Sequence, residues 1–283
     1  MSNKNYLSIY AKSFNWAGFF LPKKTYEKCS ALYDFCRTVD NIADDDGKLD
    51  IKKKNLLTFK NDFINKNYDN IIIKNMWDLM NNHLISIKIV EDLFDGIDSD
   101  LSKKVQLDNK KDLLIYSYRV AGTVGLMMAK ILDVKDQNSM KAAIDLGIAM
   151  QLTNIARDVV EDSKINRSYI KNDFKTINDT LVLADLFYKS SFAAIKKIPF
   201  KFRFAILVAR RVYKKIGDKI LRTRNMEAYN KAGKIYVNNF EKIFQTIFSL
   251  FDLIMLLLTK QKIHYMNNEH ILIIEEINLD ERI

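Results

Sequence analysis

QLTNIARDVVED, residues 151–162, is the stretch that decides the fold. Asn154, Asp158 and Asp162 recur every fourth residue, and Leu152, Ile155, Ala156, Val159 and Val160 fill the intervals. No Gly or Pro interrupts the run, so the spacing predicts a helix. Residues four apart stand one above the other on a helix face. The column therefore presents an amide and two carboxylates about 6 Å apart per step. At an effective dielectric near 20, two such carboxylates repel by roughly 3 kcal/mol. Such a column is either solvated or held against something strongly cationic.

A second column lies earlier, in Tyr33-Asp34-Phe35-Cys36-Arg37-Thr38-Val39-Asp40-Asn41-Ile42-Ala43-Asp44. Asp40 and Asp44 are one turn apart, and Arg37 precedes Asp40 by one turn. Two helices carrying such columns can face each other and hold hard divalent cations between them. Mg²⁺ takes oxygen ligands and is commonly completed by substrate phosphates. Arg37 and Arg157 beside the columns fit a phosphate on the metal, because guanidinium matches phosphate oxygens in a bidentate fork. The competing interpretation is a pair of solvated helix faces, with Asp34 an ordinary salt-bridge partner of its own helix.

Composition narrows the class. The chain has 283 residues, 48% of them hydrophobic, enough for a packed core. Eight Gly and two Pro are too few turn formers for an all-β sandwich, which moves the expectation to all-α. The net charge of +10 is spread along the chain and would suit anionic lipid or phosphorylated ligands. No basic helix–aromatic module of a nucleic-acid binder occurs, so no nucleic acid is expected as a partner. Cys29 and Cys36, with no C-x-x-C and no apolar leader in MSNKNYLSIYAKSF, are expected as reduced thiols of a cytoplasmic protein. Ile243–Leu258 is too short and too interrupted for a membrane span. It is expected to form a buried or half-buried terminal helix, with peripheral membrane contact as the alternative.

No repeat or linker divides the chain, so residues 1–283 are expected as one domain. Helices are expected over 26–44, 51–65, 76–87, 90–101, 112–132, 139–161, 178–197, 203–221 and 237–258. The tail, 265–283, receives no assignment. Gly122 and Gly125 fall inside an expected helix, where each costs about 1 kcal/mol, and they signal close approach of a ligand or of another helix. Other chemistries fit poorly. None of His83, His264 and His270 has a Glu three residues before it, as a di-iron bundle requires, and His264 with His270 is not expected as a zinc pair. No EF-hand loop, P-loop or G-x-G-x-x-G asks for calcium, ATP or a dinucleotide.

Five ordered motifs between about residues 6 and 245 resemble the squalene/phytoene synthase family. Asp40-Asn-Ile-Ala-Asp44 and Asn154-Ile-Ala-Arg-Asp158-Val-Val-Glu-Asp162 resemble its two acidic motifs. Ala11-Lys12-Ser13-Phe14 resembles its S-K-S-F element, Tyr116-Ser-Tyr-Arg-Val-Ala-Gly122-Thr-Val-Gly125 its Y-C-x-x-V-A-G-x-V-G helix, and Arg167-Ser-Tyr169 its R-x-Y segment.

The resemblance implies an all-α isoprenoid-synthase helix bundle around a central apolar cavity. It implies Mg²⁺, with Mn²⁺ as a substitute, on Asp40, Asp44, Asn154, Asp158 and Asp162. Tyr10, Ala11, Lys12, Ser13, Tyr33, Arg37, Gln151, Arg157 and Tyr213 map onto substrate or diphosphate contacts, and Tyr169 joins the acids as a catalytic group. Phe14, Gly18, Tyr116, Gly122 and Gly125 map onto the cavity. Three positions depart from the family: Ala11 where Ser is frequent, Ile170-Lys171 after Tyr169, and Lys234 about where an Arg is expected. Lys234 can still meet phosphate as a point charge.

The implied reaction joins two allylic diphosphates head to head through a cyclopropylcarbinyl diphosphate. Gly18 stands where C30-forming members tend to carry a bulky aromatic, which points to geranylgeranyl diphosphate (C20), 15-cis-phytoene and no NADPH. The alternatives are a C30 enzyme of the same family acting on farnesyl diphosphate, a terpene cyclase, and a noncatalytic helical assembly factor. Isoprenyl diphosphates are the expected partners, with no obligate protein partner. Peripheral contact at the inner face of the membrane is expected near Lys196–Arg211.

Overall fold

The computed structural model describes residues 12–258, 264 and 266–283. The first half holds α1 (Lys12–Gly18), α2 (Lys23–Asp44), α3 (Leu49–Ile64), α4 (Ile71–His83), α5 (Ile87–Ser99) and α6 (Lys110–Ser117). A π-helical turn, Tyr118–Gly122, links α6 to α7 (Thr123–Ile131). Then come α8 (Gln137–Lys164), α9 (Phe174–Phe192), α10 (Phe200–Leu221), α11 (Met226–Ala232), α12 (Asn239–Leu258) and α13 (Asn268–Ile274).

Side-chain caps set many of the boundaries and move them from the expected ones. Asn70, Ser86, Asn109, Asp136, Asp173 and Asn225 each accept a backbone N–H from the first turn of the helix that follows. The helix expected from 76 thus starts at Ile71 and ends at His83, where Leu84 turns left-handed at φ 52°. The helix expected over 112–132 is not continuous, because the π turn inserts a residue in its middle.

α8 is the axis of the bundle. It packs against α7, α9, α10 and the π turn. Leu152, Thr153, Ile155, Ala156 and Val159 are buried, whereas Gln151, Asn154, Arg157, Asp158 and Asp162 are half-buried. The polar column therefore looks into a cleft rather than into bulk water. Phe35, Phe63 and Phe94 join α2, α3 and α5, with ring centroids 5.2 Å apart for Phe35–Phe63. Cys29 and Cys36 are free thiols, which burial pushes up to about 12.

The tail is folded. His264 Nε2 and His270 Nε2 reach the two oxygens of Asp145, at 2.7 and 2.9 Å. Arg282 holds Asp92 with both a 2.9 and a 3.0 Å bond. Burial raises the Asp145 carboxyl, but the two imidazole hydrogen bonds outweigh it and hold the group below its ordinary value. The two histidines left unassigned by spacing are thus a docking device for α13 on α8. Among the described residues, Asp145, His264 and His270 are also a group whose ligating atoms lie within 4.8 Å of one another.

Candidate active site

The two acidic columns meet around one arginine and one buried aspartate. Asp40 and Asp44 close α2, and Asp158 and Asp162 lie near the end of α8. A two-residue parallel ladder, Val105↔Arg167 and Gln106↔Ser168, fixes the chain just after α8. It aims Arg167 at α2, where Nη1 donates to Asp44 Oδ1 at 2.8 Å and Nη2 to the Ala43 carbonyl at 3.2 Å. Arg37 donates to Asp40 and lies 3.7 Å from Asp44. On the other column Arg157 grips Asp158, with Nε–Oδ1 at 2.8 Å, and Lys234 Nζ lies 3.6 Å from the same oxygen. Tyr229 ties α11 to α8, its hydroxyl donating to the Arg157 carbonyl at 2.5 Å.

The charges are crowded. Burial, then the Asp44 charge, pushes Asp40 up to about 6, against the pull of Arg37. Burial, then Asp158, pushes Asp162 up to about 7. Both acids also feel Asp100 and Arg167, which places the two columns on one electrostatic centre. The buried Oδ1 of Asn154 has no hydrogen-bond partner among the described residues. An orphaned amide oxygen between crowded carboxylates is the donor set that a hard divalent cation satisfies. The residues present fit Mg²⁺.

Asp100 was not legible in the sequence. It sits at the C-terminal end of α5, is buried, and accepts from Tyr169 at 2.7 Å and from Tyr116 at 2.8 Å. The two rings stack at 4.7 Å with their hydroxyls 3.0 Å apart. Burial raises the Asp100 carboxyl, against the pull of Arg167 and of the two phenolic hydrogen bonds. Burial and the nearby carboxyl raise both phenols as well, so both stay neutral.

Other sequence-derived positions divide. Tyr213 on α10 is half-buried beside Arg157 and Tyr33, and the Phe14 ring lies 4.8 Å from its own. Burial raises Tyr33 to about 12, against the nearby Arg37 charge. Gln151 stands one turn before Asn154 on the same half-buried face. Lys12 and Ser13 open α1, with Lys12 exposed and its carbonyl 3.5 Å from Lys242 Nζ. Tyr10 and Ala11 lie outside the described residues.

Three glycines need correction. A Cβ on Gly125 would lie 2.2 Å from the Ala143 carbonyl, and one on Gly122 would meet Ile144 and Ile148. Both glycines let the helix press on α8 and do not open a path for a prenyl tail. A Cβ on Gly18 would lie 2.7 Å from the Tyr26 ring, so the room expected there is already filled. The argument from Gly18 to substrate length therefore fails.

Comparison with known proteins agrees with this geometry. The family described as squalene/phytoene synthase matches residues 8–174. The chain belongs to the squalene/phytoene synthase family. Phytoene synthase of Cereibacter sphaeroides is 30% identical over 247 residues, covering 74% of this chain and 68% of the relative. The 15-cis-phytoene synthase of Pantoea ananas is 28% identical, covering 76% and 80%. That of Paracoccus sp. is 36% identical over 168 residues, covering 51% of this chain and 55% of the relative, so this match spans about half of that protein. A dehydrosqualene synthase crystal structure superposes with a TM-score of 0.75 at 24% identity, over 88% of this chain and 94% of the other, and shares the fold. The fold expectation, an all-α isoprenoid-synthase bundle, holds.

Proposed function

We propose that the protein is a prenyltransferase that condenses two geranylgeranyl diphosphates head to head into 15-cis-phytoene, a step of carotenoid biosynthesis. The observation that carries the reading is the pairing of the acidic columns around Arg167, with the orphaned Asn154 oxygen between carboxylates. The phytoene synthase names of the bacterial relatives support the C20 substrate.

Asp40, Asp44, Asn154, Asp158 and Asp162 would hold Mg²⁺, which would supply neutralisation of the diphosphate leaving group. Arg157, Lys234 and Arg167 add the fixed cations that orient a diphosphate beside those acids. Loss of the first diphosphate gives an allylic cation, the double bond of the second molecule attacks it to leave a tertiary cation, and loss of a proton from the attacked carbon closes the cyclopropane ring of the cyclopropylcarbinyl diphosphate. Loss of the second diphosphate lets that skeleton rearrange, and a proton leaves to give the triene. Phe14, Tyr213, Tyr116 and Tyr169 supply neutral aromatic walls on which a cation is stabilised without a competing nucleophilic charge. No hydride is consumed, so NADPH is not a cofactor in this reading. The insolubility of the tails and of the product in water supports peripheral contact with a membrane.

The test is incubation of the purified protein with Mg²⁺ and either geranylgeranyl or farnesyl diphosphate, followed by mass spectrometry of the hydrocarbon. A C40 hydrocarbon with a central conjugated triene is expected from the C20 substrate. The second reading, a C30 synthase, rests on the dehydrosqualene synthase likeness and requires preference for farnesyl diphosphate.

A further inference from the structure

α12 is built inside out. Its polar side chains point into the protein. Thr246 Oγ1 accepts from Trp16 Nε1 at 2.9 Å, Asp252 Oδ1 accepts from Arg211 Nη2 at 2.7 Å, and Lys242 is buried with its ammonium 5.8 Å from the centre of the Trp16 ring. The opposite face carries Phe240, Phe244, Phe248, Phe251, Met255 and Leu258, three or four residues apart, and every one is at least 46% exposed. Ile243, Ile247 and Ile254 lie between them and are exposed as well. A surface helix of a water-soluble protein turns the other way round, and a continuous apolar patch of this kind marks a docking surface.

The charge around the face is one-sided. The acids of the helix, Glu241 and Asp252, are bonded to Lys219 and Arg211. Lys196 Nζ reaches the Leu257 carbonyl at 3.1 Å, which puts the basic segment 196–203 at the C-terminal end of α12. Lys197 and Lys201 are exposed there beside the exposed Phe200, whose ring lies 5.6 Å from the Arg203 guanidinium. Among the described residues, no helix is long and apolar enough to cross a membrane.

We propose that the outward face of α12 is an interfacial helix that lies in the headgroup–acyl boundary of an anionic bilayer, with Lys197 and Lys201 on the headgroups. Charge complementarity selects this occupant. A two-fold contact between copies of the chain through the same face would bring two basic rims toward each other. The assignment takes up the alternative given for Ile243–Leu258 and joins it to the basic segment 196–203 as its rim. It deepens the peripheral contact inferred above. α12 bonds to Trp16 of α1, and Phe14 of the same helix packs on Tyr213 beside Arg157, so the docked face stands one helix away from the acidic centre. Prenyl tails dissolved in the bilayer would enter from that side.

The test is co-sedimentation of the full chain with vesicles of phosphatidylcholine, with and without phosphatidylglycerol. Wild type is compared with the triple variant F244S/F248S/F251S and with K197E/K201E, their circular dichroism checked alongside. Wild type is expected to bind the anionic vesicles. The triple variant should lose at least about tenfold in binding to them, and K197E/K201E should lose its preference for phosphatidylglycerol. Turnover of detergent-dispersed substrate should be unchanged in both. Absence of wild-type binding, or unchanged binding in both variants, would overturn the proposal. So would a wild-type dimer that the triple variant splits without any vesicle binding, which would assign the face to a second copy. Vesicle binding without the head-to-head product would leave the docking face standing and remove the proposed reaction.

Discussion

Arg167 Nη1 donates to Asp44 Oδ1 at 2.8 Å, joining the chain just after α8 to the end of α2. This contact holds the two acidic motifs in register. Arg167→Ala should lower turnover by about 10²-fold or more, the usual scale for removing one fixed charge at a reacting centre. Steady-state kinetics on a variant with unchanged circular dichroism checks it. Wild-type-like turnover would mean that the columns do not need this cross-link.

Asn154 is the proposed ligand whose role is easiest to isolate, because its Oδ1 has no partner among the described residues. Asn154→Ala should weaken Mg²⁺ binding by at least about tenfold, as loss of a ligand does, while Tm in chelator stays level or rises slightly. Calorimetric titration with Mg²⁺ in the absence of substrate reads this directly. Unchanged affinity would remove Asn154 from the metal set.

The crowding of acids has a pH signature. Asp40 at about 6 and Asp162 at about 7 both lie above their ordinary value of 3.8. Between pH ~4 and ~7 the folded state keeps protons that the unfolded chain has released, so metal-free stability falls as pH rises through that window. A bound cation displaces those protons. Mg²⁺ should therefore raise Tm by several degrees near pH 8 and hardly at all near pH 5. Thermal scans with and without Mg²⁺ at both pH values decide it, and an equal rise at both would contradict the assignment.

Asp100 should tolerate an amide better than a truncation. Asp100→Asn keeps an acceptor oxygen and adds a donor for Tyr116 and Tyr169, the pattern a protonated carboxyl would offer. It should retain turnover within about tenfold, whereas Asp100→Ala, which leaves two buried phenols short of partners, should lose stability by about 1–3 kcal/mol. If Asp100→Asn were as damaged as Asp100→Ala, the carboxyl would have to act as an anion.

Gly125 faces the Ala143 carbonyl, so Gly125→Ala forces α7 off α8. Overpacking of this kind costs about 1–3 kcal/mol. A lowered Tm with unchanged product chain length is expected from thermal unfolding and product mass spectrometry. A shorter product at full stability would return Gly125 to the cavity wall.

The parts that the sequence disclosed are those with a period. Asn154, Asp158 and Asp162 repeat every fourth residue, as Asp40 and Asp44 do, and a period fixes a face without knowledge of its partner. Contacts made by single residues far apart were hidden. Asp100 carries no motif and matters only because Tyr116 and Tyr169 converge on it. The two-residue ladder that aims Arg167 is too short to leave a pattern. Asp145 belongs to no motif, and its partners His264 and His270 come from the tail, far away in the chain. Ile243–Leu258 misled because apolar periodicity announces a face but not whether that face looks inward. Gly18 misled because the space left by a missing side chain belongs to whichever neighbour fills it, here Tyr26.

The central claim is tested most directly by mass spectrometry of the hydrocarbon formed when the purified protein and Mg²⁺ are given geranylgeranyl and farnesyl diphosphate in competition. A C40 hydrocarbon with a central conjugated triene is expected, formed without NADPH and abolished by Asp158→Ala. A C30 product, a dependence on NADPH, or a cyclic C20 hydrocarbon made from one substrate molecule would contradict it.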